Sequence, residues 1–233
     1  MMKCVEHGHE IVALAHAHPP KNADKEELDS FLFQTVGSSA VHLVAECMEL
    51  PFYLKEIRGT AVTQELDYEL TQDDETEDLF ALLSEVKQKH PDVGAVSVGA
   101  IFSSYQGNRV QHVCDRLGLE MLAYLWQRDQ VELLQEMVAG GVHAILIKVA
   151  ALELGKNDLG KTLQEMTPKL LALHGKFGLH PCGEGGEYES LTLDCPLFKK
   201  RIVVDESEVI THSEDQYAPV LYLSIKNAHV EPK

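Results

Sequence analysis

The stretch VGAVSVGAIFSSYQGNRVQHVCDRLGLEMLAY, residues 93–124, decides the fold class. Its first ten residues, Val93–Phe102, are apolar on both faces, which is typical of a buried parallel strand. The serine pair that follows can cap a helix, Gly118 can end that helix, and Leu119–Tyr124 has the pattern of the next strand. A strand, a helix and a second strand in this order predict an α/β layer with a mostly parallel sheet.

Towards the N-terminus the same alternation continues. The patterns predict the end of a helix at Met1–Gly8, a strand at Glu10–His16, a helix at Lys25–Glu49, a strand at Phe52–Ile57 and a helix from the acidic run Thr71–Asp78 to about Lys89. The carboxylates of the acidic run suit a helix N-terminus. No strand precedes the first helix, so we expect an N-terminally truncated sheet that lacks its first, central strand.

Beyond the tryptophan at position 126 the pattern becomes richer in strands. Helices are predicted at Gln130–Val138 and Thr162–Phe177, and strands at Val142–Val149, Glu189–Leu193, Lys200–Val204, Glu208–Thr211 and Val220–Ile225. We therefore predict two domains: an α/β domain over residues 1–126, and a smaller α+β domain over residues 127–233.

Composition excludes several classes of function. A formal net charge of -17 argues against nucleic acid as a partner and against an anionic membrane surface. The five cysteines are widely spaced and form no C-x-x-C pair, which indicates a reducing compartment and neither a disulfide framework nor a zinc module. No apolar run is long enough to span a bilayer, so we expect a soluble, cytoplasmic protein.

The strongest chemical signal is an acidic, glycine-rich stretch, CGEGGEYESLTLDCPLF, residues 182–198. Its glycines permit a tight turn. Such turns commonly bind phosphate, but Glu184, Glu187 and Glu189 would repel one. Carboxylates beside Tyr188 suit a cation instead: Mg²⁺, ammonium, or a quaternary ammonium on the ring. One of the glutamates could also act as a general base towards an amine nucleophile. The alternative is a solvated acidic turn.

Two weaker signals remain open. Ser103–Arg109 stands where a strand ends and a helix begins, so its N–H groups, Gln106 and Arg109 could bind an anion in the crevice of an α/β sheet; a plain helix cap is the alternative. His16 and His18 would share one face of a strand at a workable zinc-ligand spacing, but ordinary loop histidines explain the pattern as well.

Several separated blocks resemble the diphthine–ammonia ligase (diphthamide synthase) family. Gly183–Glu189 with Leu193–Phe198 is similar to its E-G-G-E-Y/F-E and L-D-x-P-L-F signature. The other matching blocks, in order, are Glu27–Gly37, Glu77–Leu79, Val98–Ile101, Ser103–Gln106, Tyr124–Trp126, Ile147–Leu152 and Leu159–Thr162. The resemblance therefore extends along nearly the whole chain.

The resemblance implies a Rossmann-like adenine-nucleotide α-hydrolase (PP-loop) domain followed by a family-specific C-terminal domain. It also implies the last step of diphthamide formation on elongation factor 2. In that reaction ATP activates the carboxylate of diphthine as an acyl-adenylate, pyrophosphate leaves, and ammonia displaces AMP to form the amide. Diphthine carries a trimethylammonium group, so the acidic loop would meet two cations, that group and ammonium. ATP with Mg²⁺, elongation factor 2 and a second copy of the chain are the expected partners.

The resemblance also implies site residues. Those expected at the diphthine and ammonium end are the catalytic Glu184, Glu187 and Glu189 with the substrate-binding Gly185, Gly186 and Tyr188. Those expected in the nucleotide crevice are Ala15, Gln34, Gly99, Ile101, Tyr105, Gln106 and Arg109. We expect Glu187 to be the most important, as a cation-binding or basic group; no residue is assigned as a metal ligand.

The chain departs from the family pattern at two places. No S-G-G-x-D-S phosphate-binding loop occurs, and a block expected as S-D-Y-Q-R-x-R reads SSYQGNR at residues 103–109. Two alternatives therefore stay open: a catalytically inactive shortened form, and a different PP-loop ligase such as a tRNA-thiolating enzyme. The acidic charge and the lack of C-x-x-C pairs argue against the second.

Overall fold

The computed structural model describes residues 1–20, 28, 30–215 and 218–233. The chain forms two compact units. Unit 1 comprises Met1–Thr35 and Leu50–Gln127, and unit 2 comprises Val36–Glu49 and Arg128–Lys233. The predicted domain boundary between residues 126 and 127 stays a prediction.

Unit 1 is built from helices and short parallel strands. Its elements are α1 (Met2–Glu6), β1 (Leu14–His18), β2 (Phe52–Glu56), α3 (Glu75–Lys89), β3 (Ala95–Ser97), α4 (Ser104–Leu117) and β4 (Glu120–Leu122). Strand β1 pairs in parallel with β2, and β3 pairs in parallel with β4, in two two-stranded sheets. The predicted α/β class with parallel pairing is confirmed, while the missing first strand stays a prediction.

Helix α4 begins and ends at the residues that its sequence predicts. The Ser103 side chain accepts a hydrogen bond from the Gln106 N–H and caps the N-terminus, and Gly118 ends the helix with a φ of 62°. Helix α3 is capped in the same way by Asp74, whose side chain accepts from the Thr76 N–H. Capping by the acidic run, one of the sequence predictions, is thereby confirmed.

The strand predicted at Val93–Phe102 is wrong in extent and in burial. Only Ala95–Ser97 form a strand, of which the last residue is exposed. Pairing is limited because β4 is itself three residues long. The buried residues of the stretch, Ala100 and Ile101, lie beyond the strand in an irregular segment.

The helix predicted at Lys25–Glu49 is also too long. Residues 21–27 and 29 lie outside the described residues, and residues 30–35 are not helical. Helix α2 (Ser38–Met48) begins only after Gly37, because the φ of 81° at Gly37 is left-handed and does not belong to an α-helix. At the preceding strand, β1 starts at Leu14 rather than at Glu10.

Unit 2 is a four-stranded antiparallel sheet with helices, as the α+β prediction required. Besides α2 it contains α5 (Gln130–Ala139), β5 (His143–Val149), a short 3-10 helix (Lys156–Asp158), α6 (Leu163–Phe177), β6 (Tyr188–Asp194), β7 (Lys200–Ser213) and β8 (Val220–Pro232). The strand order is β6-β5-β8-β7. Helix α2 packs against β7 and β8, and α6 packs against α5 and β5. The two strands predicted within residues 200–211 are one strand, β7, interrupted by register shifts.

The core of unit 2 anchors the segment that connects α6 to β6. Leu146 and Val149 of β5 pack with Leu170 of α6 and with Tyr188, the first residue of β6. Because these side chains are almost fully buried, both ends of the segment between α6 and β6 are anchored. Within the described residues, every helix is too short or too polar to cross a membrane.

Candidate active site

The acidic loop, defined here as residues 178–187, connects α6 to β6 by tight turns. The Gly183 N–H donates to the His180 carbonyl at 2.9 Å, and the Gly186 N–H donates to the Gly183 carbonyl at 3.0 Å. Both glycines have a positive φ, 76° and 81°. A Cβ atom at Gly183 would also lie 2.6 Å from the Tyr188 carbonyl oxygen, so this position requires glycine.

The Glu187 carboxylate folds back over this loop. Its Oε1 accepts a hydrogen bond from the His180 backbone N–H at 2.9 Å, and it lies where a side chain on Gly185 would collide with it. Its Oε2 is buried and accepts no hydrogen bond from any residue that the structure describes. A buried carboxylate oxygen without a donor is costly, and it is satisfied when a donor or a cation binds.

The other two glutamates have different surroundings. Glu184 lies in the loop, and its backbone N–H donates to His180 Nδ1 at 3.4 Å. Glu189 lies on β6, where its Oε1 forms an ion pair with Lys148 Nζ on β5 at 3.0 Å, beside a register shift between Leu146 and Lys148. The structure therefore groups Glu184 with Glu187 in one loop and gives Glu189 a cationic partner.

The Tyr188 ring belongs to the core. It is 4% exposed, and its hydroxyl donates to the Pro181 carbonyl at 2.7 Å. Burial raises the pKa of this hydroxyl far above its ordinary value. The predicted contact of a quaternary ammonium with the ring face is not supported by this placement, because the ring is covered by unit 2 itself.

Cys182 lies in the same loop, and its thiol is protonated. Its Sγ donates to the Gln130 carbonyl at 3.2 Å. Burial, followed by the negative charge of Glu184, raises its pKa to about 12. A thiol with such a pKa is a poor nucleophile at neutral pH. A reactive role for the loop carboxylates stays a prediction.

The predicted nucleotide residues all lie in unit 1. Ala15 on β1 and Gly99 after β3 are exposed, and no atom approaches within 4 Å of the place where a Gly99 side chain would begin. Gln34 is also exposed, whereas Ile101 is buried and its carbonyl accepts from the Gln127 N–H at 2.8 Å. Small residues with open space suit the nucleoside part of ATP.

Tyr105 and Gln106 in the first turn of α4 hold a neighbouring segment. The Gln106 Nε2 donates to the Phe31 carbonyl at 3.1 Å, and the Tyr105 and Phe31 rings lie 5.7 Å apart. The Phe31 side chain is 53% exposed. Tyr105 and Gln106 are themselves half-buried.

Arg109 is engaged within unit 1 and is completely buried. Its guanidinium donates to the Thr63 carbonyl at 2.6 Å and to the Glu65 carbonyl at 3.1 Å, and it stacks over the Tyr105 ring at 3.4 Å. Arg109 thus anchors the irregular segment 60–74 instead of facing an open crevice. The nucleotide role of the predicted residues stays a prediction, and Arg109 donates its hydrogen bonds to backbone carbonyls.

The first turn of α3 does more than the capping that its sequence predicts. Glu75, 1% exposed, accepts hydrogen bonds from Ser30 Oγ at 2.6 Å, the Phe31 N–H at 3.2 Å and the Leu32 N–H at 3.0 Å. Burial raises its pKa. Asp78 accepts from two further backbone N–H groups at 2.8 Å each. The acidic run therefore organises the loops of unit 1; the run itself was visible in the sequence, but its partners were not.

The histidines form no metal centre among the residues that the structure describes. There, no group of three or more His, Cys, Asp and Glu side chains is arranged to hold a metal ion. Burial, followed by the proximity of His18, lowers the pKa of His16 to about 4. His9 Nε2 forms a hydrogen bond with the Tyr124 hydroxyl at 2.6 Å.

Comparison with known proteins agrees with the sequence blocks. Residues 21–121 match the diphthamide synthase N-terminal domain, and residues 129–226 match the diphthamide synthase C-terminal domain. A protein named diphthine–ammonia ligase from Schizosaccharomyces pombe is 56% identical over 97% of this chain, which spans 36% of that protein's length.

Shorter relatives with the same name match over their greater part. Those from Mus musculus and Homo sapiens are 54% and 53% identical over the whole of this chain, which covers 88% of each. Two consecutive domain matches and such relatives show that the chain belongs to the diphthine–ammonia ligase family, ligases of diphthamide biosynthesis whose N-terminal domain is of the PP-loop type.

Proposed function

We propose that this chain catalyses the ATP-dependent amidation of diphthine to diphthamide on elongation factor 2, with ammonium as the nitrogen donor. The observation that carries the proposal is the buried Glu187 Oε2, which accepts no hydrogen bond from the described residues. Ammonium has four N–H donors, no acceptor and a positive charge, so it supplies what this oxygen lacks. The family membership of the chain supports a reaction in which ammonium is consumed.

Glu187 has two roles in this proposal. Its carboxylate binds ammonium and then takes one proton from it, because nitrogen can attack a carbonyl only with a free electron pair. ATP is a substrate: the diphthine carboxylate displaces pyrophosphate from it, and ammonia then displaces AMP from the acyl-adenylate. Glu184 lies in the same loop and contributes negative charge for the trimethylammonium group of diphthine, while Gly185 and Gly186 keep the loop open to it.

Glu189 has a supporting role. Its ion pair with Lys148 holds the first residues of β6 against β5, next to the loop that ends at Glu187. For ATP, we propose that Ala15, Gln34, Gly99, Ile101, Tyr105 and Gln106 line the nucleoside site and that Mg²⁺ accompanies the phosphates. We further propose a cytoplasmic location and self-association as a homodimer.

A direct assay tests this function. The purified chain is incubated with diphthine-bearing elongation factor 2, ATP, Mg²⁺ and isotopically labelled ammonium, and the modified histidine is analysed by mass spectrometry. We expect the label in the side-chain amide, with one AMP and one pyrophosphate released for each amide formed. Glu153→Gln, which changes an exposed carboxylate of unit 2, serves as the control variant. Absence of labelled amide, with a longer family member active in parallel, would refute the proposal.

One observation favours a second candidate, a form that binds partners without turning over ATP. The guanidinium expected at the phosphates, that of Arg109, is buried against backbone carbonyls. Titration calorimetry with ATP and with adenosine separates the two candidates. A ligase binds ATP more tightly than adenosine because it must hold the phosphates, whereas the second candidate binds both equally or not at all.

A further inference from the structure

His180 lies at the start of the turns of the acidic loop, and each of its polar backbone groups binds a residue of that loop. Its backbone N–H donates to Glu187 Oε1 at 2.9 Å, and its carbonyl accepts from the Gly183 N–H at 2.9 Å. Its ring Nδ1 lies 3.2 Å from the Cys182 N and 3.4 Å from the Glu184 N. His180 thus binds three other residues of the loop through its backbone and its ring, together with the Gly183 N–H.

The geometry around Nδ1 determines the protonation state of the ring. Both neighbours of Nδ1 are backbone N–H groups, which can only donate. Nδ1 must therefore accept, which it can do only without a proton, so the imidazole is neutral and its proton is on Nε2. A proton on Nδ1 would place three N–H groups against one another and would break both hydrogen bonds.

We infer that His180 is a positioning residue of the ligase site: as a neutral hydrogen-bond acceptor it holds the acidic loop in the conformation that presents Glu187 and Glu184 to their cations. The inference rests on the proposed function and deepens it. His180 acts on the reaction through the loop, since it forms hydrogen bonds with Cys182, Gly183, Glu184 and Glu187.

The charges that face the ring predict how pH affects the loop. Glu187 and Glu184 of the loop favour a protonated ring, whereas burial and His174 of α6 oppose it; burial has the largest effect and lowers the pKa of His180. Because the folded-state pKa lies below the ordinary value, the contribution of the neutral ring to stability is fully present above about pH 6.5 and is lost as the pH falls below it. Activity should therefore decline on the acid side.

A matched pair of variants tests the inference. In His180→Asn the side-chain oxygen can accept from the same backbone N–H groups two and four residues ahead, and it does not titrate. In His180→Leu no acceptor remains. We expect His180→Asn to keep kcat within about threefold and to lose the acid limb that His180 causes, and His180→Leu to lower kcat about tenfold or more, the effect of two lost hydrogen bonds. The KM for ATP should not change in either variant.

Two readouts besides activity keep the test independent of the proposed function. Nitrogen NMR of the labelled ring should show Nδ1 without a proton at neutral pH, and the amide signals of Cys182 and Glu184 should move in His180→Leu but hardly in His180→Asn. Thermal unfolding establishes that both variants are folded.

The outcomes are decisive in either direction. A proton on Nδ1 at neutral pH, a His180→Leu variant as active as the wild type, or a folded His180→Asn variant as impaired as His180→Leu would each overturn the inference. If the wild-type chain forms no amide, the proposed function fails; the ring tautomer and the amide signals then still decide whether His180 positions the loop.

Discussion

Two acidic regions of this chain look alike in sequence and differ in how their carboxylates are used. In the first turn of α3, both oxygens of Glu75 accept hydrogen bonds from the segment 30–32, and both oxygens of Glu77 contact the Arg116 guanidinium. In the acidic loop, one oxygen of Glu187 accepts a backbone N–H, and the other is buried without a donor among the described residues. A buried carboxylate oxygen without a donor, rather than a high density of carboxylates, distinguishes Glu187 from Glu75 and Glu77.

The largest effect is expected for Glu187→Gln, which tests whether the Glu187 carboxylate is needed for amide formation. The amide oxygen can still accept from the His180 N–H, but an NH₂ group replaces the oxygen that should bind ammonium. We expect amide formation to fall at least about 100-fold, the effect typical of losing a general base. The midpoint of thermal unfolding should hardly change. Retention of most of the ligase activity, measured in the mass-spectrometric assay, would remove Glu187 from the mechanism.

The corresponding change in unit 1, Glu75→Ala, should affect stability instead. It leaves Ser30 Oγ and the N–H groups of Phe31 and Leu32 without their acceptor, and we expect a loss of about 3 kcal/mol in the free energy of unfolding. Chemical denaturation measures it. Glu85→Ala, an exposed position on the same helix, is the control and should change stability by less than about 0.5 kcal/mol. Equal effects at the two positions would contradict a structural role for Glu75.

A pair of glycine substitutions tests the turn that shapes the acidic loop. Gly183 and Gly186 have similar positive φ angles, but only at Gly183 would a Cβ meet another atom, the Tyr188 carbonyl oxygen at 2.6 Å. Gly186→Ala should cost about 1 kcal/mol for its backbone conformation alone, and Gly183→Ala about 2 kcal/mol or more. Denaturation curves of both variants give the difference. Equal losses would mean that the close approach to Tyr188 is not maintained in solution.

The smallest effect is expected at Cys182. Because burial raises the pKa of its thiol to about 12, iodoacetamide should modify it far more slowly in the folded chain than after denaturation. Cys182→Ala should retain ligase activity. Peptide mapping after timed alkylation provides the rates. Rapid modification of folded protein at neutral pH would show that the loop opens, and it would weaken the role given to the buried Glu187 oxygen.

Much of the local structure could be predicted from the sequence. The N-cap serine of α4, the Gly118 that ends it and the capping role of the acidic run depend on residues only a few positions apart, and all three are confirmed. Predictions that depend on distant partners were less accurate. The strand predicted at residues 93–102 extends only over Ala95–Ser97, because its length depends on how far β4 can pair with it.

The site could be located but not resolved from the sequence. Its glycines and glutamates stood out as a short motif, but the sequence does not show which carboxylate has an unused oxygen. Lys148, 41 residues before Glu189, is its ion-pair partner, and Thr63, 46 residues before Arg109, accepts from its guanidinium. His180 carried no signal apart from its position before the glycines.

By itself, the sequence determined the family, the α/β class with parallel pairing, the helix caps and the turn of the acidic loop. Each of these follows from ordered motif blocks, or from backbone preferences and hydrogen bonds that act over a few residues. The tertiary structure alone decided which polar groups form hydrogen bonds within the protein and which do not. Donors compete for acceptors across the whole fold, so the use of Arg109, Glu75, Glu187 and His180 is settled only when distant segments pack together.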